Sequence, residues 1–174
     1  MELIALKSAP FAKELISKRL EESGIHINRY AEILFSHGGF STEGGYAGTI
    51  AIASLSEIGL EDGAALSEIS ARIAELGFKP CVASAGLFLR LAWAEQAQSK
   101  NSVLSGTHSA PDGAVTVLSE ILENDNSFPK GLYLRNVEGR LWLRGYVCDD
   151  EYRFSGDDVF AFENNKHKDK EIKI

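Results

Sequence analysis

Near the N-terminus, apolar residues recur at the spacing of one face of a helix. The first stripe lies between Pro10 and Gly24 and consists of Phe11, Leu15, Ile16 and Leu20. Pro10 suits the first turn of a helix, and Gly24 suits its end. A second, shorter stripe follows Asn28, a residue type that caps helix N-termini, and consists of Tyr30, Ile33 and Leu34. The two stripes predict an N-terminal αα-hairpin.

A third helical pattern covers about residues 64–76. Its apolar positions, which share one helix face, are Leu66, Ile69, Ile73 and Leu76. Gly77 follows, and glycine is the residue type that most often ends a helix. The pattern predicts one further amphipathic helix over this range.

Two other apolar stretches fit either a strand or a helix. Residues 49–55 are apolar or small, which suits a strand or a short buried helix, and we favour a strand. In residues 87–95 the large side chains alternate with others as in a strand, and they are Leu87, Leu89, Leu91 and Trp93. The intervening alanines leave a helix open, but we favour a strand here as well.

The clearest β pattern is a hairpin at residues 131–147, where two alternating stretches flank Glu138 and Gly139. A two-residue turn places four leucines on one sheet face, and these are Leu132, Leu134, Leu141 and Leu143. The resulting register pairs Val137 with Arg140, Arg135 with Trp142, and Tyr133 with Arg144. The opposite face is therefore aromatic and cationic. Glu138 fits poorly in the left-handed backbone of a type I′ turn, so the pattern determines the register better than the turn type.

These elements together predict an α+β fold. Besides the helices, we expect a largely antiparallel sheet of about four to six strands in the C-terminal half, with strands near Val115 and Val117 and at residues 159–162. Residues 1–165 would form a single domain, because a chain of 174 residues can bury one core without disulfides or a metal. The charged segment 166–174 would be a frayed tail.

Composition and charge limit the function classes. The net charge is −7, which disfavours nucleic-acid binding because an acidic protein repels phosphate groups. The longest apolar stretches are much shorter than a membrane-spanning helix needs, and Glu2 precedes the first apolar residues, unlike in a signal peptide. Cys81 and Cys148 are far apart and have no metal-binding spacing, so we expect two buried thiols. We therefore expect a cytoplasmic protein with no membrane partner.

The aromatic and cationic face of the hairpin is the first candidate binding site. It consists of Tyr133, Arg135, Trp142 and Arg144. Guanidinium groups stack on tryptophan and tyrosine rings, and these residue types are enriched at binding hot spots. The same residues also form ordinary cross-strand pairs, so helices or acidic residues of the middle segment could cover the face. Solvent exposure of the face distinguishes the two interpretations.

A catalytic alternative depends on His108, which lies in a polar loop shortly before Asp112. Five carboxylates that the fold could bring near it are Asp149, Asp150, Glu151, Asp157 and Asp158. Their spacing matches no calcium loop, and turn capping accounts for them more simply. The glycine-rich segment 38–48 has neither the spacing of a phosphate-binding loop nor a following lysine. We expect no cofactor and no metal, and we favour a protein that is not an enzyme.

Three stretches of the sequence are notable in combination. They are residues 27–35, residues 54–81 with their Ser-Leu-Ser-Glu-Ile-Gly-Leu and Gly-Phe-Lys-Pro-Cys segments, and residues 87–93 with Leu141, Trp142 and Leu143. Together they resemble a widespread group of small bacterial proteins that has no established activity. The resemblance implies a bacterial source and a shared fold, and it supports a strand at Leu87. It implies no activity, cofactor or catalytic residue.

The leading functional hypothesis is a non-catalytic cytosolic protein that binds another protein or itself through the aromatic and cationic hairpin face. The alternative is a hydrolase that uses His108 with nearby carboxylates. A weaker alternative is nucleic-acid binding through the hairpin arginines, which would depend steeply on salt.

Overall fold

A computed structural model of the chain describes residues 1–102 and 110–165. The helices are α1 (Ile16–Glu22), α2 (Arg29–Ser36), α3 (Leu66–Glu75) and α4 (Ala85–Ala92). The strands are β1 (Glu2–Ser8), β2 (Ile25–Ile27), β3 (Tyr46–Ser54), β4 (Ala64–Ala65), β5 (Phe78–Lys79), β6 (Val115–Val117), β7 (Gly131–Val137), β8 (Arg140–Tyr146), β9 (Arg153–Phe154) and β10 (Val159–Asn164). Short 3-10 helices occur at Lys13–Leu15 and Ser56–Ile58.

Eight of these strands form one mixed sheet. Seven follow the order β1-β3-β10-β6-β7-β8-β2, and β5 pairs with the end of β10. The β10–β6 and β2–β8 pairs are parallel, and the other pairs in the sheet are antiparallel. Strands β4 and β9 form a separate two-stranded sheet.

The predicted arrangement of elements is wrong, although the protein is α+β. The sheet has eight strands rather than about four to six, contains parallel pairs and begins with β1 at the N-terminus. The predicted αα-hairpin is absent because β2 separates α1 from α2 and pairs with β8. A three-residue strand has no recognisable period, and its parallel partner lies far along the chain. The pattern of apolar residues therefore indicated the two helices but not the strand between them.

Helix α4 also contradicts the sequence analysis. Residues 85–92 are helical, so the strand predicted at 87–95 is wrong, and the support that the resemblance lent to a strand was misleading. Every residue from Ala85 to Arg90 is buried. A helix that is buried on all sides shows no polar face, and its alternating leucines then look like a strand.

Other local predictions are confirmed. Strand β3 includes most of residues 49–55, and α3 lies within the range predicted for the third helix. The hairpin pairs Tyr133 with Arg144 and Arg135 with Trp142, which is the predicted register. Glu138 and Gly139 have φ values of 52° and 77°, so the turn uses left-handed backbone at both positions despite the glutamate. The division into one domain stays a prediction, and the predicted tail 166–174 lies outside the described residues.

The two faces of the sheet carry separate cores. On one face, α1, α2 and α4 join a cluster that contains the hairpin residues Leu132, Leu134 and Leu143. On the opposite face, α3 joins a cluster with Phe160 and Phe162 of β10. Phe160, Thr116, Tyr133 and Arg144 are successive register partners across β10, β6, β7 and β8, so they point to this second face. The candidate hairpin face is therefore continuous with the second core.

No helix in the described part of the chain is both long enough and apolar enough to cross a membrane.

Candidate functional site

Tyr133 and Arg144 form the centre of the candidate face. They lie opposite each other on β7 and β8, and Arg144 Nε donates a hydrogen bond to the Tyr133 hydroxyl at 2.7 Å. Tyr133 is buried, whereas Arg144 is half-buried. Burial raises the pKa of Tyr133, so its hydroxyl is neutral at physiological pH and orients the guanidinium without competing for charge.

Arg135 lies on the same face but is closed off from solvent. Its side chain has 0% exposure, and it donates hydrogen bonds to Ser99 Oγ at 3.0 Å, to the Asp112 carbonyl at 2.8 Å and to the Asn101 carbonyl at 2.9 Å. Among the described residues, these contacts come from Ser99 and Asn101 in the segment that follows α4 and from the backbone of Asp112. The structure therefore places Arg135 in a structural role, where it joins the two chain segments on either side of residues 103–109.

A second buried arginine, which the sequence analysis missed, holds the other end of this segment. Arg90 of α4 donates to Gln96 Oε1 at 2.6 Å and also to the Trp93 carbonyl. Gln96 in turn donates to the Leu134 carbonyl at 3.1 Å, and its own carbonyl accepts from Asn136 at 2.8 Å. Burial lowers the pKa of Arg90 to about 10, so it remains charged at neutral pH. The only signal in the sequence was an arginine within an apolar stretch.

Trp142 lies on the open part of the face, and it is half-buried. The Arg144 guanidinium carbon lies 5.3 Å from the centre of its ring, and the ring of His26 lies 4.9 Å from it on the neighbouring edge strand β2. A cation–π contact of this kind contributes about 0.5–1 kcal/mol at an exposed site. The aromatic and cationic packing predicted for the hairpin is therefore present between Trp142 and Arg144.

A pocket of about 600 Å³ opens beside Tyr133 and Arg144. Its aromatic walls are contributed by distant parts of the chain, and they are Tyr30, Tyr133, Tyr146, Tyr152 and Phe154. Its other lining residues in the described chain are Asn28, Ala110, Pro111, Thr116, Asn126, Arg144, Gly145, Val147, Cys148 and Asp149. We call this the tyrosine pocket. The volume lies within the usual range for small-molecule and side-chain sites.

One wall of the tyrosine pocket is fixed by Asn28. Its Oδ1 accepts the Ala31 amide at 3.0 Å, which caps α2, and also accepts the Gly145 amide at 2.8 Å. Its Nδ2 donates to the Gly145 carbonyl at 3.0 Å. A Cβ at Gly145 would lie 2.5 Å from the Tyr30 carbonyl carbon, so only glycine allows this close approach. The start of α2 is thus attached rigidly to β8.

The opposite wall depends on turn carboxylates. Asp149 Oδ1 accepts the amides of Glu151 and Tyr152 at 3.1 and 2.8 Å, and the Tyr152 ring packs on Phe154 with 4.8 Å between ring centres. Asp158 Oδ2 similarly accepts the Ser155 amide at 2.9 Å. Within residues 1–102 and 110–165, no group of three histidine, cysteine or acidic side chains is arranged to hold a metal ion.

Arg144 carries the positive charge of the tyrosine pocket, because the tyrosine and cysteine side chains that line the pocket are neutral. Burial raises the pKa values of Tyr146 and Tyr152 and raises that of the Cys148 thiol to about 11, so these groups are neutral at pH 7. Arg144 makes no ion pair with any side chain in the described part of the protein. Asp149 also lines the pocket, but it is exposed and its Oδ1 accepts two backbone amides.

The predicted catalytic group of His108 with nearby carboxylates stays a prediction. His108 lies outside the described residues. Asp112 Oδ2 accepts the Lys100 amide at 2.5 Å and so helps to close the same chain segment as Arg135. Cys81 is fully buried, and burial raises its pKa, so it is not an activated thiolate.

Comparison with family models, curated proteins and solved structures found no match for this chain.

Proposed function

We propose that this chain is a non-catalytic, cytoplasmic protein-binding protein that uses Trp142, Arg144 and the tyrosine pocket. The bound element would be a short segment of a partner protein that carries one carboxylate beside an apolar or aromatic side chain. The observation that carries the proposal is the state of Arg144, which is half-buried, oriented by Tyr133 and without a carboxylate partner in the described structure.

The energetics of Arg144 support this proposal. Partial burial removes water from a guanidinium, and this cost is usually offset by a carboxylate or by several hydrogen bonds. Arg144 has the Tyr133 hydroxyl and the Trp142 ring, but both are neutral. A carboxylate from a partner would supply the missing charge, and Arg, Trp and Tyr are the residue types in which hot-spot energy concentrates.

The net charge of the whole chain limits how much negative charge the partner segment can carry. A charge of −7 repels polyanions, and Arg144 is the only Lys or Arg among the described lining residues of the pocket. This arrangement suits a segment with a single negative charge. It disfavours a nucleic-acid backbone, whose affinity depends on several phosphate contacts.

Selection from a displayed library of random peptides tests the proposal. The bait would be the wild-type chain, and selected peptides would be measured against Arg144→Gln, Trp142→Ala and the control Arg140→Gln, which changes an exposed arginine of the same hairpin. We expect selected peptides to contain an acidic residue next to an aromatic or aliphatic one and to lose at least about tenfold in affinity with the first two variants, since 1.4 kcal/mol corresponds to a factor of ten. The control should bind as the wild type does.

Two results would contradict the proposal. One is that no peptide is enriched over an unrelated acidic protein of similar size. The other is that the enriched peptides bind Arg144→Gln as tightly as they bind the wild type.

A further inference from the structure

The hydrogen-bond donors that Arg144 has available lie on its two Nη atoms. A guanidinium has five N–H donors, and the single donor on Nε is directed to the Tyr133 hydroxyl at 2.7 Å. The four donors on the two Nη atoms make no hydrogen bond within the described chain. A carboxylate can meet two Nη atoms end-on through two parallel hydrogen bonds, which is the arrangement that this leaves open.

The rest of the tyrosine pocket has the wrong composition for a multiply charged ligand. Asp149 lies at the pocket, and no second lysine or arginine lines it in the described structure. A phosphate at neutral pH carries up to two charges and is normally held by several cations or backbone amides. A monoanion is the better match for one guanidinium.

The shape and lining of the pocket indicate what is attached to the carboxylate. Four tyrosines and Phe154 supply flat, mainly apolar walls, and Pro111 and Val147 extend them. Aromatic rings prefer offset or edge-on contacts with other rings, so walls of this kind favour a planar, apolar body. A volume of about 600 Å³ accommodates a ring with its carboxylate and a short linker.

We infer that the tyrosine pocket is a site for an aromatic carboxylate, whose carboxylate binds the two Nη atoms of Arg144 end-on and whose ring lies among the pocket tyrosines. This inference rests on the proposed function, because it names the group that Arg144 recognises. The same chemistry has two sources. One is the C-terminal phenylalanine, tyrosine or tryptophan of a partner protein, and the other is a free aromatic acid.

The site is organised before a ligand arrives. Tyr133 fixes the guanidinium, Asn28 fixes the start of α2, and Asp149 fixes the turn that carries Tyr152. Thr116, which also lines the pocket, is the register neighbour of Tyr133. Preorganised groups lose little freedom on binding, which favours measurable affinity even for a small ligand.

Calorimetric titration with matched probes tests the inference on the full chain. The free-acid probe is 3-phenylpropanoate, and the C-terminal probe is a tripeptide that ends in phenylalanine with a free carboxylate. Each is paired with its neutral primary amide, and phenyl phosphate serves as the dianion. We expect each acid to bind at least about tenfold tighter than its amide and tighter than phenyl phosphate.

Variants locate the effect. In Arg144→Gln the acid and the amide should bind equally weakly, and Arg144→Lys should restore only part of the preference, because an ammonium cannot form the two parallel hydrogen bonds. Arg140→Gln is the control and should behave as the wild type. Thermal unfolding of each variant shows whether it remains folded. Binding of the neutral amide measures the affinity of the pocket for the aromatic ring without the contribution of the carboxylate.

The outcomes separate the two proposals. Equal binding of acid and amide to the wild type, preference for phenyl phosphate, or no binding of either acid at millimolar concentration overturns the aromatic-carboxylate site. If library peptides nevertheless bind in an Arg144-dependent way, the protein-binding proposal stands alone. Tighter binding of the tripeptide than of 3-phenylpropanoate identifies a protein C-terminus as the source, and the reverse order identifies a free acid.

Discussion

At the scale of single residues, the hairpin arginines show how one residue type on one sheet face acquires different roles. Arg135 is fully buried beneath the segment that follows α4, and its donors are directed to chain atoms on both sides of residues 103–109. Arg144 lies nine residues further along, and within residues 1–102 and 110–165 its guanidinium hydrogen-bonds Tyr133 and stacks on Trp142. The difference follows from what lies over each side chain, not from the side chains themselves.

Arg135→Ala should therefore destabilise the protein rather than only weaken a binding surface. The substitution removes a buried guanidinium that donates part-buried hydrogen bonds to Ser99, Asn101 and Asp112, and a hydrogen bond made by a charged group contributes about 1.5–3 kcal/mol. We expect a loss of at least about 2 kcal/mol in the free energy of unfolding, measured by urea denaturation. Arg140→Ala, at an exposed position of the same hairpin, should change it by less than about 0.5 kcal/mol. A similar small change for Arg135→Ala would show that its hydrogen bonds are not structural.

At the scale of elements, the hairpin positions the site. Its turn contains a residue in an unfavourable backbone conformation. Glu138 is the only residue other than glycine with positive φ in the described structure, at 52°. A side chain with a Cβ is disfavoured there unless it is asparagine or aspartate, whose short polar groups tolerate left-handed backbone. The leucine register nevertheless imposes this turn, because any shift would place the leucines on both faces.

Glu138→Asn should stabilise the hairpin, since Asn-Gly is the preferred pair for a type I′ turn. We expect a gain of about 0.5–1 kcal/mol in the free energy of unfolding, which is typical for a corrected turn residue. The melting temperature should rise, whereas the reverse change Gly139→Ala should lower it, because Gly139 has φ 77°. If Glu138→Asn is neutral or destabilising, the turn does not carry the strain that its backbone implies.

At the scale of the whole molecule, the sheet holds the N-terminal and C-terminal parts together. Strands β3, β10, β6, β7 and β8 each have a neighbour on both sides, whereas β1 and β2 are at the edges. The tyrosine pocket depends on this order, because Tyr30, Thr116, Tyr133 and Tyr152 come from four separate stretches of chain.

The rates of amide hydrogen exchange should depend on the position of each strand in the sheet. Phe160 and Ala161 of β10 have 0% exposure and pair with β3 on one side and β6 on the other, so their amides should exchange only on near-global unfolding. Amides of β1 and β2 should exchange faster through local opening of the edges. Mass spectrometry of peptic fragments or NMR measures the rates. Protection of β1 equal to that of β10 would contradict the strand order.

Local structure with a regular repeat of apolar residues could be predicted from the sequence. The four hairpin leucines specified the register, since side chains alternate between the faces of a strand, and four apolar positions specified α3 through the helical repeat. The same register correctly placed Tyr133, Arg135, Trp142 and Arg144 on one face. These predictions depend only on residues that lie close together in the sequence.

Which parts of that face are open to solvent depends on contacts between residues far apart in the chain. The pairing of β2 with β8 joins stretches far apart in the chain, and the burial of α4 on all sides removes the polar face that identifies a helix. The burial of Arg135 depends on a segment from another part of the sequence that leaves Arg144 half-buried, and the pocket needs Tyr30 and Tyr152 beside Tyr133. Periodicity shows which face of an element a side chain occupies, but the long-range packing of other elements determines what covers that face.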